Sequence, residues 1–255
     1  MQFRVLGSSG GQIPGQHLSS YLLDDTLLID AGSTTAVLSL RAQQKIKNIL
    51  ITHAHLDHVM SLATLSDNLF GIDGTLHVWG LPEVIEGLRT SFFNDTIWPD
   101  FTRITGDSQS APILSLHALV EGTAAAIGDF DVTAVCVDHA VTSTAFFIEN
   151  RKGSLLHVGD TGPTEKVWTL ARTKKNLRAV VLEASFPNRL QETADLSQHL
   201  TPRTLAGEAA KLARPSVPIF VTHLKPQYRK EIIGELKKLK GLRLKILKQG
   251  QTLDL

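Results

Sequence analysis

The chain has 255 residues, of which 42% are hydrophobic and 20% are charged, as is typical of an ordinary globular protein. Its formal net charge of +1 argues against a general nucleic-acid binder, because such proteins depend on many lysine and arginine contacts to phosphates. The one cysteine, Cys136, excludes an intrachain disulfide and a thiolate metal cluster.

The N-terminus is predicted to form a strand at once, over residues 2–7, with no segment of signal-peptide type before it. No apolar run approaches the length of a membrane span, so we expect a cytoplasmic location and no membrane partner. Strands over 19–23 and 27–30 continue an opening meander, and residues 31–45 are rich in helix formers.

The next strand, predicted over 48–52, leads into the densest group of metal-ligand residues in the chain, Thr52-His53-Ala54-His55-Leu56-Asp57-His58. Three imidazoles and a carboxylate at this spacing cannot all point one way from a regular strand or helix, so the run predicts a loop at a strand end. Such a loop can aim His53 and His55 at one metal ion and Asp57 and His58 at a second ion nearby. An ordinary polar surface loop is the alternative, which this density of ligand residues disfavours.

The following elements are predicted to be a helix, a strand and a helix, over 59–69, 75–79 and 81–93. The most aromatic stretch of the chain then runs from Phe92 to Phe101 and includes Trp98. Packing of a helix against the core is one interpretation of this stretch. A wall of the substrate pocket, or a partner surface, is the other.

The second half of the chain alternates strands with helices and has no composition break, so we predict one domain over residues 1–255. Strands are predicted within 113–135 and over 144–149, 154–158, 179–183, 217–221, 243–247 and 252–254, and helices over 163–172, 202–213 and 227–240. Further candidate ligands are His139, Asp160 and His223, which follow predicted strands. Residues at strand ends carry the chemistry in α/β architectures.

Seven side chains are therefore predicted to hold two divalent metal ions, Zn²⁺ being expected ahead of Mn²⁺ or Fe. The first ion is assigned to His53, His55 and His139, the second to Asp57, His58 and His223, and Asp160 is assigned to both. A shared carboxylate reduces the repulsion between two dications and sets their separation at about 3.5–4 Å. Asp57 is also expected to orient the hydroxide that bridges the metals.

The motif from His53 to His58, followed by His139, Gly159-Asp160-Thr161 and Thr222-His223, resembles the metallo-β-lactamase superfamily along essentially the whole chain. The resemblance implies an α/β protein with a four-layer αββα sandwich, in which two mixed β-sheets pack face to face and helices lie outside. Within the superfamily the chain resembles the class II cyclic-nucleotide phosphodiesterases. That resemblance is carried by Leu56, Phe92 to Phe101, Glu183 to Asn188 and Ser197 to Pro202, whereas Ala63, Thr64 and Asp67 depart from the family's usual signature.

The resemblance implies hydrolysis of 3′,5′-cyclic AMP, or of another cyclic nucleotide, to the 5′-nucleotide by a metal-bridging hydroxide. The sugar oxygen is a poor leaving group and needs a proton, for which His199 is the candidate general acid. Glu183 is expected to orient His199 and keep it protonated. Asn188, Thr161 and Trp98 are candidate contacts to the partner, a small anionic phosphodiester, and the resemblance also makes a homodimer a candidate assembly.

Three alternatives stay open. A transfer-RNA 3′-processing endonuclease shares the metal pattern and the Glu and His pair, but too few residues separate His139 from Asp160 to form its RNA-gripping arm. A thioesterase of the glyoxalase II type shares the metals without explaining Glu183 and His199. A non-catalytic module that binds metal and nucleotide is the alternative from another class, and it would have no need of an open hydrolytic centre.

Overall fold

The computed structural model describes residues 1–106 and 110–255, and the strands of these residues form two sheets of seven strands each. In chain order they are β1 (Gln2–Gly7), β2 (Ser20–Leu23), β3 (Leu27–Ile29), β4 (Asn48–Leu50), β5 (Leu76–Gly80), β6 (Leu114–Ala118), β7 (Ala124–Ile127), β8 (Phe130–Val137), β9 (Ser143–Asn150), β10 (Gly153–His157), β11 (Leu177–Glu183), β12 (Ile219–Thr222), β13 (Leu244–Ile246) and β14 (Thr252–Asp254). The first sheet has the order β14-β1-β2-β3-β4-β5-β6, and the second has the order β13-β12-β11-β10-β9-β8-β7.

Both sheets are mixed. In the first sheet β14, β1, β2 and β3 pair antiparallel and β3 to β6 run parallel. In the second, β7 to β10 pair antiparallel and β10 to β13 run parallel. Parallel strands end at the same edge of their sheet, so each sheet gathers the loops that follow its parallel strands at one rim.

The central strands of the second sheet, β9 to β12, are largely buried on both faces. Phe146 and Leu155 lie in the core between the sheets, whereas their chain neighbours Phe147 and Leu156 pack on the outer face. This alternation follows from the two-residue period of a strand. Trp168 belongs to the outer core, as do residues of the other covering helices, so the predicted four-layer sandwich is confirmed.

The helices, in chain order, are α1 (Thr34–Val37), α2 (Leu40–Gln43), α3 (Leu56–Asn68), α4 (Pro82–Gly87), α5 (Lys166–Thr173), α6 (Gln191–Leu196), α7 (Pro202–Lys211) and α8 (Arg229–Leu236). Among the described helices, none combines the length and apolar character that crossing a lipid bilayer requires. The start of α7 is as predicted, with Pro202 in the first turn and Thr201 as N-cap, whose hydroxyl accepts a hydrogen bond from the Thr204 backbone N–H.

Three predicted elements are different in the structure. The helix expected over 31–45 is two short helices, because Leu38 has extended backbone and its carbonyl accepts a hydrogen bond from the Gln43 side-chain amide. The helix expected over 81–93 is α-helical only as far as Gly87, the last residue of α4, and a π-helical turn over Leu88–Phe92 follows. The segment between Ser185 and Thr201, expected to be a loop, contains a 3₁₀ turn and α6.

Candidate metal centre

The histidine-rich run is not a loop throughout, which corrects the prediction from its spacing. β4 ends at Leu50, and α3 begins at Leu56, so Asp57 and His58 lie in the first turn of a helix. The backbone N–H of His58 donates to the His55 carbonyl at 2.9 Å, which closes that turn. His53 and His55 therefore leave β4 ahead of the helix while Asp57 and His58 lie on it, and the two pairs are aimed at different points.

The first group of ligand atoms comprises three imidazole nitrogens. Nε2 of His53 lies 3.0 Å from Nδ1 of His55, which lies 3.4 Å from Nε2 of His139. All three atoms lie within 4.8 Å of one another, close enough to share one cation. The ring of His139 is oriented by its Nδ1–H, which donates to the carbonyl of Gln198 at 2.9 Å and leaves Nε2 as the ligand atom.

The second group comprises Asp57, His58 and His223, whose ligand atoms also lie within 4.8 Å of one another. Oδ2 of Asp57 is 3.9 Å from Nε2 of His58 and 3.7 Å from Nε2 of His223. The opposite nitrogens are held by Asp30, whose Oδ2 is 2.7 Å from Nδ1 of His58, and by Ser19, whose Oγ is 3.1 Å from Nδ1 of His223. These hydrogen bonds turn both Nε2 atoms toward the site.

Asp160 lies between the two groups. Its Oδ2 is 3.1 Å from Nε2 of His223, 3.3 Å from Nε2 of His58 and 3.9 Å from Nε2 of His53. The Nε2 atoms of His58 and His223 are buried, and within the described part of the chain neither makes a hydrogen bond of acceptable geometry. Buried polar atoms without partners are unfavourable, and cations bound among these nitrogen and carboxylate ligands would satisfy them. The residues therefore fit a divalent-metal site.

Strong electrostatic coupling marks this cluster. Burial lowers the pKa of His223 to about 4, and burial together with the charge of His58 lowers that of His53. For His58 the effect of burial is outweighed by the carboxylates of Asp160 and Asp30, which raise its pKa well above the usual range. Burial is likewise outweighed at Asp160, where His223 and His58 hold the pKa well below its usual value. Closely packed ionisable groups of this kind are typical of functional sites.

The backbone at the site is constrained. Gly159 has φ of +74°, and a Cβ there would lie 3.1 Å from the Thr144 carbonyl and 3.2 Å from the Thr52 side chain, so this turn requires glycine. Two non-glycine residues of the centre, Asp30 (φ 54°) and His223 (φ 59°), also have left-handed backbone. Such conformations cost of order 1–3 kcal/mol each and are found where the surrounding structure fixes a functional residue.

His199 lies beside the metal cluster and is paired with Glu183. Its Nδ1 is 2.6 Å from Oε1 of Glu183 and 4.0 Å from Oδ2 of Asp160. The fully buried Glu183 also accepts hydrogen bonds from the Ser185 hydroxyl at 2.5 Å and from the Thr161 backbone at 3.1 Å. Burial would lower the pKa of His199, but the charge and hydrogen bond of Glu183 raise it above the usual value. Glu183 thus favours the cationic form of His199 and fixes its ring through Nδ1.

All seven predicted ligands and the predicted pair of Glu183 and His199 come together at one rim of the sandwich. Sequence reasoning missed three residues of this rim, Asp30, Ser19 and Lys225. Asp30 follows β3 as His53 follows β4, and the strand-end rule could have found it. The Lys225 ammonium donates to the Gly10 carbonyl at 3.4 Å and lies 5.3 Å from the centre of the Phe186 ring.

The three candidate substrate contacts have other roles in the structure. Thr161 is buried and orders Glu183, and the Asn188 side chain accepts a hydrogen bond from the backbone of Arg203 at 2.8 Å. Trp98 is partly buried and packs against the hydrophobic core, as the packing interpretation of the aromatic stretch predicts. Contacts of these residues with substrate stay predictions.

Comparison with known proteins places the chain in a family. A family model for the class-II cAMP phosphodiesterases matches residues 30–250. A probable 3′,5′-cyclic-nucleotide phosphodiesterase of Yersinia pestis is 28% identical over 243 residues, covering 82% of this chain and 68% of the relative. The structure of unliganded yeast PDE1 has a TM-score of 0.82 at 22% identity and covers 100% of this chain and 99% of its own. YhfI from Bacillus subtilis, a metallo-β-lactamase fold protein, has a TM-score of 0.78 at 18% identity, with coverage of 99% and 98%. The chain therefore has the metallo-β-lactamase fold.

Proposed function

Because the chain belongs to the class-II cAMP phosphodiesterase family, we propose that it hydrolyses a 3′,5′-cyclic nucleotide to the 5′-nucleotide, with cyclic AMP as the expected substrate. The observation that carries this proposal is the pair of Glu183 and His199 beside a cluster of seven metal-ligand side chains. A phosphodiester with a poor leaving group requires a proton donor in addition to metals. Thioester hydrolysis and simple metal storage would require neither residue of the pair.

The proposed ligand assignment follows the two groups of atoms. His53, His55 and His139 would hold one divalent ion, Asp57, His58 and His223 would hold a second, and Asp160 would contact both. Divalent ions there would polarise the phosphoryl oxygens and lower the pKa of a nucleophilic water molecule. The donor set is imidazole nitrogen and carboxylate oxygen, which suits Zn²⁺ first and Mn²⁺ or Fe next.

The role proposed for His199 is to protonate the departing O3′. Its Nδ1–H donates to Glu183, so the proton at Nε2 is the one available for transfer. Glu183 holds the ring in this orientation and favours its cationic form. The carboxylate itself is held by Ser185, Thr161 and the Leu200 backbone, and this network fixes the direction of the donor.

Asp57 has two proposed roles. As a ligand it would complete the second group, and as a hydrogen-bond acceptor it would orient the nucleophilic hydroxide. Its carboxylate is about a third exposed, in contrast to the buried Asp160, so it faces the open side of the rim where a nucleophile enters. The charges of His58 and His223 outweigh the effect of burial and lower the pKa of Asp57, which keeps it a carboxylate.

A substrate panel tests the proposed function. Protein loaded with Zn²⁺ or Mn²⁺ is offered cyclic AMP, cyclic GMP, a 2′,3′-cyclic nucleotide, a precursor transfer RNA and an activated aryl phosphodiester. We expect turnover of the 3′,5′-cyclic nucleotides with a 5′-nucleotide product and no cleavage of the RNA. RNA cleavage without cyclic-nucleotide turnover would replace this proposal with that of a transfer-RNA 3′-processing enzyme. The chain's expected partner is thus a small anionic phosphodiester, and a homodimer remains a prediction that sedimentation would test.

A further inference from the structure

A small basic pocket is lined in part by the loop between β1 and β2, the loop that also carries Gly10. It has a volume of about 200 Å³, and its lining includes Ser8, Ser9, His17, Arg229 and Lys248. The lining contains two permanent cations and no carboxylate. The pocket is therefore a concentrated positive charge in a chain whose net charge is close to zero.

Arg229 is the most informative residue of this pocket. It is the first residue of α8 and is only partly exposed, and within the described part of the chain it makes neither an ion pair nor a side-chain hydrogen bond. Burial without an anion beside it lowers its pKa. A guanidinium has five N–H donors, and removing them partly from water without a partner is unfavourable. Other arginines in this chain, such as Arg189 with Glu231, do have carboxylate partners.

The neighbouring groups add suitable donors. Lys248 is exposed, and among the described residues its ammonium has no partner. The Ser8 hydroxyl is likewise without a hydrogen bond in the described structure, although the residue is largely buried. Two cations and the unbonded Ser8 hydroxyl match an oxyanion that carries two negative charges.

We propose that this pocket binds a phosphate dianion, either inorganic phosphate or the phosphoryl group of a nucleotide monoester. The guanidinium fork of Arg229 is complementary to two phosphate oxygens, and Lys248 supplies the second charge. The pocket is separate from the proposed metal centre, whose ligands do not line it. The proposal does not depend on the substrate assigned to the centre.

The loop between the two sites suggests what binding would do. The Ser8 carbonyl accepts a hydrogen bond from the His223 backbone at 2.9 Å, and the Ser9 hydroxyl donates to the Leu224 carbonyl at 3.4 Å. Gly10 lies directly against the His223 ring. An anion held at Ser8 and Ser9 would therefore act on the segment that positions His223, so the site would be an effector site for the centre.

Binding is tested by calorimetry on the Zn²⁺-loaded protein at constant ionic strength, with inorganic phosphate in one arm and 5′-AMP in the other. The double variant Arg229→Gln, Lys248→Gln is compared with Lys237→Gln, Lys238→Gln, which removes the same charge from exposed lysines following α8. We expect the first double variant to lose one bound phosphate per chain, or to bind it about tenfold or more weakly, in at least one arm. The control variant should keep it. Equal stoichiometry and affinity in wild type and in the first double variant, in both arms, would overturn the site.

Kinetics tests the effector role separately. Phosphate at the metal centre competes with substrate, whereas phosphate in the pocket does not, so inhibition of aryl phosphodiester hydrolysis by phosphate should contain a non-competitive component in wild type. That component should vanish in Arg229→Gln, Lys248→Gln and persist in the lysine control. Purely competitive inhibition of the wild type would overturn the effector role while leaving the binding result to stand on the calorimetry.

Discussion

Nδ1 of His199 lies 2.6 Å from Oε1 of Glu183, and the same nitrogen lies 4.0 Å from Oδ2 of Asp160. His199, the proposed proton donor, is thus hydrogen-bonded to Glu183 and lies next to Asp160. The other proposed metal ligands surround Asp160. The acid and the metal cluster belong to one continuous group of side chains. Their contributions to catalysis can nevertheless be separated, because each responds to a different property of the substrate.

Replacement of His199 should depend on the leaving group. His199→Ala is expected to reduce turnover of cyclic AMP by about 10²–10⁴, because a sugar alkoxide departs poorly without a proton. The aryl phosphodiester, whose leaving group needs no proton, should lose little. Steady-state rates of both substrates measure the difference, and His117→Ala, which removes a histidine of the pair His77 and His117, serves as the control. Equal losses on both substrates would remove His199 from this role.

Replacement of Asp160 should reduce metal content. Asp160→Ala removes the carboxylate that lies within 3.3 Å of both His58 and His223, and we expect fewer than two ions per chain by elemental analysis after dialysis. Asp67→Ala, which changes an exposed aspartate of α3, should leave the content unchanged. If Asp160→Ala retained the wild-type metal content, Asp160 could not be a shared ligand.

Replacement of Gly10 should act on the centre through His223. A Cβ at this position would lie 2.6 Å from the His223 carbonyl oxygen and 2.9 Å from its Nε2, so Gly10→Ala must displace either His223 or the loop that carries Gly10. We expect weaker metal binding in a chelator competition assay. Gly207→Ala is the matched control, since a Cβ there meets no atom within 4 Å and alanine favours the helix by roughly 0.5–1 kcal/mol. Unchanged metal affinity in Gly10→Ala would contradict the prediction, because it would show that the loop carrying residue 10 moves without displacing His223.

His157 should make the fold sensitive to acid. It lies 2% exposed beside Tyr21, both of its ring nitrogens lack hydrogen-bond partners in the described structure, and burial lowers its pKa to about 4. Because the unfolded chain binds the proton more tightly, with a pKa near 6.5, this residue destabilises the fold as pH falls from about 6.5 to 4. The cost at pH 5 is about 2 kcal/mol.

Replacing His157 with leucine should remove that cost. The free energy of unfolding, measured with urea at pH 7.5 and pH 5, should fall less for His157→Leu than for wild type, by about 2 kcal/mol. The metal-ligand histidines contribute equally to both proteins, so the difference isolates this one side chain. The same loss on acidification in both proteins would mean that His157 does not titrate as its burial requires.

The sequence predicted well which side chains converge at this rim, because their residue types and their places after strands are local properties. His139, Asp160 and His223 could be found in this way although they are far apart in the chain. Asp30 could not be recognised as readily, since an aspartate at a strand end has many roles and its contact with His58 forms only when β3 and β4 pair. The same is true of Ser19 and His223, whose contact joins the two sheets.

Element boundaries were less predictable where tertiary contacts decide them. The ligand spacing predicts a loop at Leu56, but a helix turn displaces Asp57 and His58 equally well, and the structure has a helix there. α6 has six residues and too little periodicity to detect, and Gln191 at its start is held by the Thr201 hydroxyl at 2.8 Å. The glycine at position 159 could be seen in the sequence, but the close packing of Thr144 and Thr52 that requires it could not.

The proposed ligands are divided between the sheets. His53 and His58 follow a strand of the first sheet, whereas Asp160 and His223 follow strands of the second. Ions bound among them would link the two sheets, and the free energy of metal binding would oppose separation of the sheets. A chelator should therefore increase local opening of this rim as well as stop turnover. Amide hydrogens at the ends of β4 and β12 should then exchange faster, while those at the opposite rim keep their protection.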